Sequence, residues 1–167
     1  MNLLPRFTPP SFLHVLFGIV ASLHLHAADE LPNLVVFISD DMGRAESSVY
    51  GSTEVATPTM DMLASNGMTF DEAYVASPSC CPNRFSLLTG LMPARHGAHP
   101  NHSQVKPGTE FLFPILQKKG YTVASFGKVA HGRRDFPGVD MNSSRPMDMS
   151  ENVTKWFAET DIEGPVC

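Results

Sequence analysis

From Leu34 to Ile38 the chain is almost continuously apolar, reading LVVFI, and two residues later it meets Asp40 and Asp41. A run without polar alternation predicts a strand covered on both faces, as in a parallel sheet. After a loop rich in Gly and Ser, the segment TPTMDMLASNG predicts a helix. Thr57 is suited to cap it, Pro58 to occupy its first position and Gly67 to end it. Met60, Leu63 and Ala64 then share one face. MTFDEAYVA, residues 68–76, predicts a second strand, and CPNRFSLLTG a second helix with Pro82 at its first position and Gly90 after its last. TEFLFPILQKKG predicts a third helix between Thr109 and Gly120, YTVASFG a third strand, and ENVTKWFAE one more short helix.

Strands that alternate with helices at this spacing predict an α/β layered fold. Ligands in such folds gather at the carboxyl ends of the strands. That rule selects Asp40 and Asp41 after the first strand, Cys80 after the second and Lys128 after the third. The closing segment EGPVC follows the last helix without another strand, so the pattern reads as an incomplete α/β unit. No internal repeat or low-complexity tract interrupts it.

Composition narrows the class. A chain of 167 residues suits one domain, and its 43% hydrophobic content is enough for a packed core and against disorder. The formal net charge of −5 argues against nucleic acid as a partner, because phosphate backbones are met by basic patches. Residues 1–28 resemble a signal peptide: Arg6 precedes the apolar stretch FLHVLFGIVASLHLHA, and Ala27 and Ala28 offer a small-residue cleavage point. The rival reading is an uncleaved anchor. The run is shorter than the ~20 residues of a spanning helix and contains His14, His24 and His26, so no stable membrane span is expected. Export to a periplasmic, extracellular or lysosomal compartment follows, where three cysteines, an odd number, leave at least one thiol unpaired. Asn101-His102-Ser103, Asn142-Ser143-Ser144 and Asn152-Val153-Thr154 match the glycosylation triplet.

The strand-end residues carry the candidate chemistry. Adjacent carboxylates need a cation or solvent to offset their repulsion, and oxygen donors favour a hard ion such as Ca2+ or Mg2+. Alternatively, one aspartate caps the turn and the other is solvated. With Pro82 opening the helix, Cys81 is expected as its N-cap and Cys80 just ahead of its mouth. There the helix dipole, unpaired backbone N–H groups and Arg84 favour a thiolate or an oxyanion. A buried structural thiol, a vicinal disulfide and a bridge to Cys167 are the alternatives.

Cys80-Cys81-Pro82-Asn83-Arg84 followed by FSLLTG resembles the CxPxR signature of sulfatases, formylglycine-dependent members of the alkaline phosphatase superfamily. VVFISDDMG before it, and LMPARHGAH and SFGKVAHG after it, resemble further blocks of that family in the same order. The likeness extends from about Pro32 to Gly132. It implies an alkaline phosphatase-like fold, with a mainly parallel, mixed central sheet flanked by helices. Residues 29–167 would form only the first part of the catalytic domain.

The resemblance also implies roles. Cys80, the first cysteine of the signature, would be converted to Cα-formylglycine by a formylglycine-generating or other sulfatase-maturating enzyme. Asp40 and Asp41 would hold Ca2+ (or Mg2+) together with the modified residue 80. Arg84 would hold the hydroxyl of the hydrated aldehyde, Lys128 would contact the sulfate, and His131 would orient or deprotonate the hydrated aldehyde. His96 is expected in a structural or substrate-facing role. No spacing argument selects His99 or His102.

Three features depart from the pattern. Asn83 stands where serine is usual, two residues separate Lys128 from His131 as in iduronate 2-sulfatases, and the later ligands and C-terminal domain have no counterpart. The expected activity is hydrolysis of sulfate esters or sulfamates of sulfated glycans, with a sulfamidase-like subclass. The chain by itself would be weakly active or inactive. A phosphonate or phosphodiester hydrolase and a non-catalytic secreted glycan-binding remnant are the competing readings.

Overall fold

A computed structural model describes residues 31–130, 136–143 and 149–167; the expected signal peptide and His131 lie outside the described residues. Two 3-10 turns, Arg44–Glu46 and Ser48–Tyr50, precede α1 (Pro58–Asn66), α2 (Cys80–Thr89) and the single turn α3 (Pro93–His96). Then come α4 (Leu112–Lys118), β1 (Ala124–Phe126), β2 (Met141–Ser143) and α5 (Met149–Glu159).

Proline and glycine place the helices where the sequence expects them, but the caps differ. Thr57 does not cap α1. Its hydroxyl instead meets Ser48, 2.6 Å from the Ser48 hydroxyl and 3.0 Å from the Ser48 backbone N–H, which ties α1 to the preceding turn. Thr109 likewise leaves α4 to Phe111 and donates to the Lys106 carbonyl at 2.7 Å. α2 starts two residues before the expected position: Ser79 flanks it, and Pro82 is its third residue instead of its first. Proline fits there for the same reason, since an N–H in the first turn has no partner within the helix. Gly90 ends α2 at φ 67°, donating its N–H to the Ser86 carbonyl. That left-handed conformation favours glycine.

α2 buries Cys81, Arg84, Phe85 and Leu88, the helical period of one face, while Leu87 stays exposed. That face packs on α4, which contributes Phe113 and Leu116, and on Tyr121 and Val123 beside β1. Aromatic rings knit the core: Phe111 lies 6.2 Å from Phe85 and meets the edge of Phe136 at 5.8 Å, and Phe113 meets Phe136 at 5.4 Å. Trp156 of α5 covers Phe126 of β1 at 6.0 Å.

β1 and β2 pair in parallel, with Ala124 opposite Met141. The last residues add to this patch. Thr122 bridges Val166 in parallel, and Ala124 N–H donates to the Cys167 carbonyl at 2.8 Å. Val166 in turn accepts from the Leu34 N–H at 2.8 Å. Residues 165–167 form no strand, yet through this isolated bridge they link Leu34 to the segment leading into β1.

Two predicted strands do not form. Beyond Leu34 the apolar run carries no ladder among the described residues, and Val35, Val36 and Phe37 are 73%, 65% and 83% exposed. Residues 68–76 are also unpaired, with Met68, Phe70 and Tyr74 in solvent. Their apolar character encodes burial, but no described element lies over them. Met60 and Leu63 of α1 face outward with them.

Candidate active site

Three elements bring charge to one point. Asp40 ends the apolar run, Arg84 comes from the second turn of α2, and Lys128 follows β1 after the Gly127 turn. Asp40 Oδ1 accepts from Arg84 Nη2 at 3.0 Å, and Lys128 Nζ donates to Oδ2 at 2.7 Å and to Oδ1 at 3.0 Å. Arg84 Nη1 also donates to the backbone carbonyl of Lys128, and Nη2 to that of Ser39 at 3.4 Å. An arginine 3% exposed thus ties the Ser39–Asp40 segment and the loop after β1 to α2. The planar fork of arginine can do this where a lysine ammonium cannot.

Two cations converge on one carboxylate, and with the neighbouring Asp41 the four side chains balance in formal charge. The Lys128 hydrogen bond, followed by those of Arg84, holds the Asp40 carboxyl below its usual range against the opposing effect of burial. Asp41 is exposed and has φ 54°, a left-handed conformation uncommon outside glycine, which turns the chain sharply away from Asp40.

Cys80 opens α2 half-buried, and its Sγ donates to Asn101 Oδ1 at 3.5 Å. Cys81 is fully buried, its Sγ donating to the Ser103 carbonyl at 3.3 Å. It is not the N-cap. Cys80, Cys81 and Cys167 are all free thiols, so neither the vicinal disulfide nor the bridge to Cys167 is formed. Burial pushes the Cys167 thiol up.

His96 lies in the core, on the structural side of what the sequence leads one to expect. It is 0% exposed, and its Nδ1 accepts the Ala98 N–H at 3.1 Å. Nε2 must then carry the proton; it lies 3.3 Å from the Pro82 carbonyl and 3.1 Å from Ser86 Oγ. Burial, foremost, lowers its proton affinity and keeps it neutral. It braces the first turn of α2 from behind. Asn101 is the residue that sequence reasoning missed as a site neighbour, since its glycosylation triplet says nothing about the helix end it caps.

Asp40 and Asp41 match a hard cation in donor type but fall short in number, because such ions take six to eight oxygens. Both Asp40 oxygens already face cations, and no group of three or more His, Cys, Asp or Glu residues converges among the described residues. Cys80 therefore does not complete a ready-made cage with the two aspartates.

Helices packed around a short parallel pair, with Asp40, Arg84 and Lys128 drawn together beside it, define an α/β protein. The sulfatase family model matches residues 32–154, and the chain belongs to that family. It is 36% identical over 135 residues to an N-acetylgalactosamine-6-sulfatase of Rattus norvegicus, covering 72% of this chain and 26% of the relative. It is 33% identical over 102 residues to an ulvan-active sulfatase of Formosa agariphila, covering 61% of this chain and 20% of that one. Among solved structures, Ps i-CgsB aligns with a TM-score of 0.56 and 25% identity, over 80% of this chain and 34% of that chain. The chain spans about a quarter of the length of the curated relatives it matches.

Proposed function

We propose that residues 29–167 form the N-terminal part of a sulfatase catalytic domain, acting on sulfate esters of carbohydrates through a formylglycine at position 80. The observation that carries this reading is the convergence of Arg84 and Lys128 on Asp40, beside a helix whose first residue is the cysteine of a CxPxR signature. Arg84 and Lys128 would neutralise the sulfate as charge builds on the leaving oxygen. Asp40 and Asp41 would hold half of a Ca2+ or Mg2+ site, the other half coming from residues outside this chain's matched region. When bound, the cation supplies Lewis-acid polarisation of the sulfate group. The aldehyde that a maturating enzyme would make from Cys80 would supply, in its hydrated form, the nucleophile for the sulfate group. His131 would serve as the proton-handling neighbour of residue 80.

The named relatives favour an O-sulfated sugar over a sulfamate: the Rattus protein is an N-acetylgalactosamine-6-sulfatase and the Formosa protein an ulvan-active sulfatase. Export behind a signal peptide fits a substrate outside the cytoplasm. Co-expression with a maturating enzyme, followed by mass spectrometry of the Cys80 peptide, tests the nucleophile. An aldehyde is expected, and an unchanged thiol would remove the basis of the mechanism. Turnover of an aryl sulfate beside an aryl phosphodiester separates sulfatase from phosphonate or phosphodiester hydrolase.

A second reading, a non-catalytic glycan-binding remnant, draws support from the two-donor cation site. Binding of a sulfated oligosaccharide without turnover, in a chain whose Cys80 is converted, would favour it.

A further inference from the structure

The loop from Gly97 to Lys106 returns across the start of α2 and is fastened there at several points. Lys106 N–H donates to the His96 carbonyl at 2.8 Å, and Ser103 receives the Cys81 thiol. Ser103 Oγ donates to the Pro100 carbonyl at 2.6 Å, and His102 takes φ 62°, so residues 100–103 form a tight turn. At its apex Asn101 Oδ1 receives three donors: the Cys80 thiol at 3.5 Å, the Cys81 N–H at 3.3 Å and the His102 N–H at 3.1 Å. Ser79, which flanks α2, makes no side-chain cap. A helix start leaves its first N–H groups without helical partners, and one of them here is satisfied from twenty residues away.

We infer that Asn101 is a positioning residue for residue 80. Its amide oxygen caps α2 from the returning loop and at the same time fixes the direction of the side chain at position 80. This rests on the reading of residue 80 as the nucleophile precursor. The contact itself exists in the thiol form and is measurable without any catalysis. An acceptor shared by the helix end and the reactive side chain couples the two. The group at 80 then stays held against the returning loop and does not sample several rotamers.

The test uses the 167-residue chain with Cys80 unconverted, its variants Asn101→Ala and Asn101→Asp, and iodoacetamide labelling read peptide by peptide. Asp keeps an oxygen at the same place. Cys80 should label slowly in the wild type and in N101D, and about three- to tenfold faster in N101A, the factor equivalent to one hydrogen bond. Cys167 should be unchanged throughout. An unaltered Cys80 rate in N101A, or a rise at all three cysteines together, overturns the inference, the latter because it reports a loosened fold. Should N101A fail to fold, hydrogen exchange on the wild type decides the question, because the Cys81 amide must be protected and the amide of Cys80 less so. If labelling behaves as expected but no aldehyde ever forms at Cys80, the positioning contact stands and the formylglycine reading falls.

Discussion

Lys128 Nζ lies 2.7 Å from Asp40 Oδ2, joining residues 88 positions apart, while Arg84 takes the other carboxylate oxygen. The carboxylate that the family resemblance gives to a cation is thus held by two basic side chains. A cation arriving there must share Asp40 with them, and Lys128 is the partner that can leave, being the more exposed and the more flexible.

Calcium binding should therefore be weak, with a Kd above about 1 mM, in the range of poorly coordinated sites. Isothermal titration calorimetry on Lys128→Met should show tighter binding than wild type, and Asp40→Asn should lose it. Equal binding by D40N would place the cation elsewhere.

Arg84→Lys should destabilise the chain by about 2–3 kcal/mol, since a lysine cannot reach Ser39, Asp40 and the Lys128 carbonyl together. Urea unfolding of the two proteins measures it. A loss below about 0.5 kcal/mol, typical of surface changes, would mean that the guanidinium does not tie the loops to α2.

His96 gives the chain a pH dependence of definite sign. Its folded form resists protonation, whereas the unfolded chain takes up a proton near the ordinary 6.5. Below that pH the unfolded state binds more protons, so stability falls as pH drops through 6.5 and is fully present above it. Melting temperatures from pH 5 to 7.5 should rise for the wild type. In His96→Gln they should start lower and lose most of that slope; an unchanged slope would assign it to another group.

Gly138 has φ 78°, and a Cβ there would sit 2.5 Å from the Pro114 backbone nitrogen, against the start of α4. Gly138→Ala should cost about 2–4 kcal/mol through strain and displaced packing of Phe113 and Phe136. Thermal unfolding checks this. A neutral result would show that the turn moves freely away from α4.

The exposed Val35, Phe37, Phe70 and Tyr74 form unpaired apolar surface that soluble chains seldom leave open. The isolated chain should bind a hydrophobic dye and self-associate. Val35→Lys with Phe37→Glu should reduce both without lowering the melting temperature, as neither side chain is in the core.

The sequence by itself determined the helices and the order of the site. Pro58 and Gly67, Pro82 and Gly90, and Gly120 punctuate the chain because their backbone constraints act locally, so α1, α2 and α4 were legible to within a few residues. Asp40, Arg84 and Lys128 were legible because the signature blocks occur in order. The tertiary structure alone decided where the partners lie. A continuous apolar run specifies that a segment should be covered, but only other segments can cover it, and within the described residues nothing does so for Val35–Ile38 or residues 68–76. His96 became a core brace, Asn101 a helix cap and Val166 a sheet neighbour through contacts across many residues. Such contacts depend on how loops return in space, and the local pattern of side chains carries no record of that.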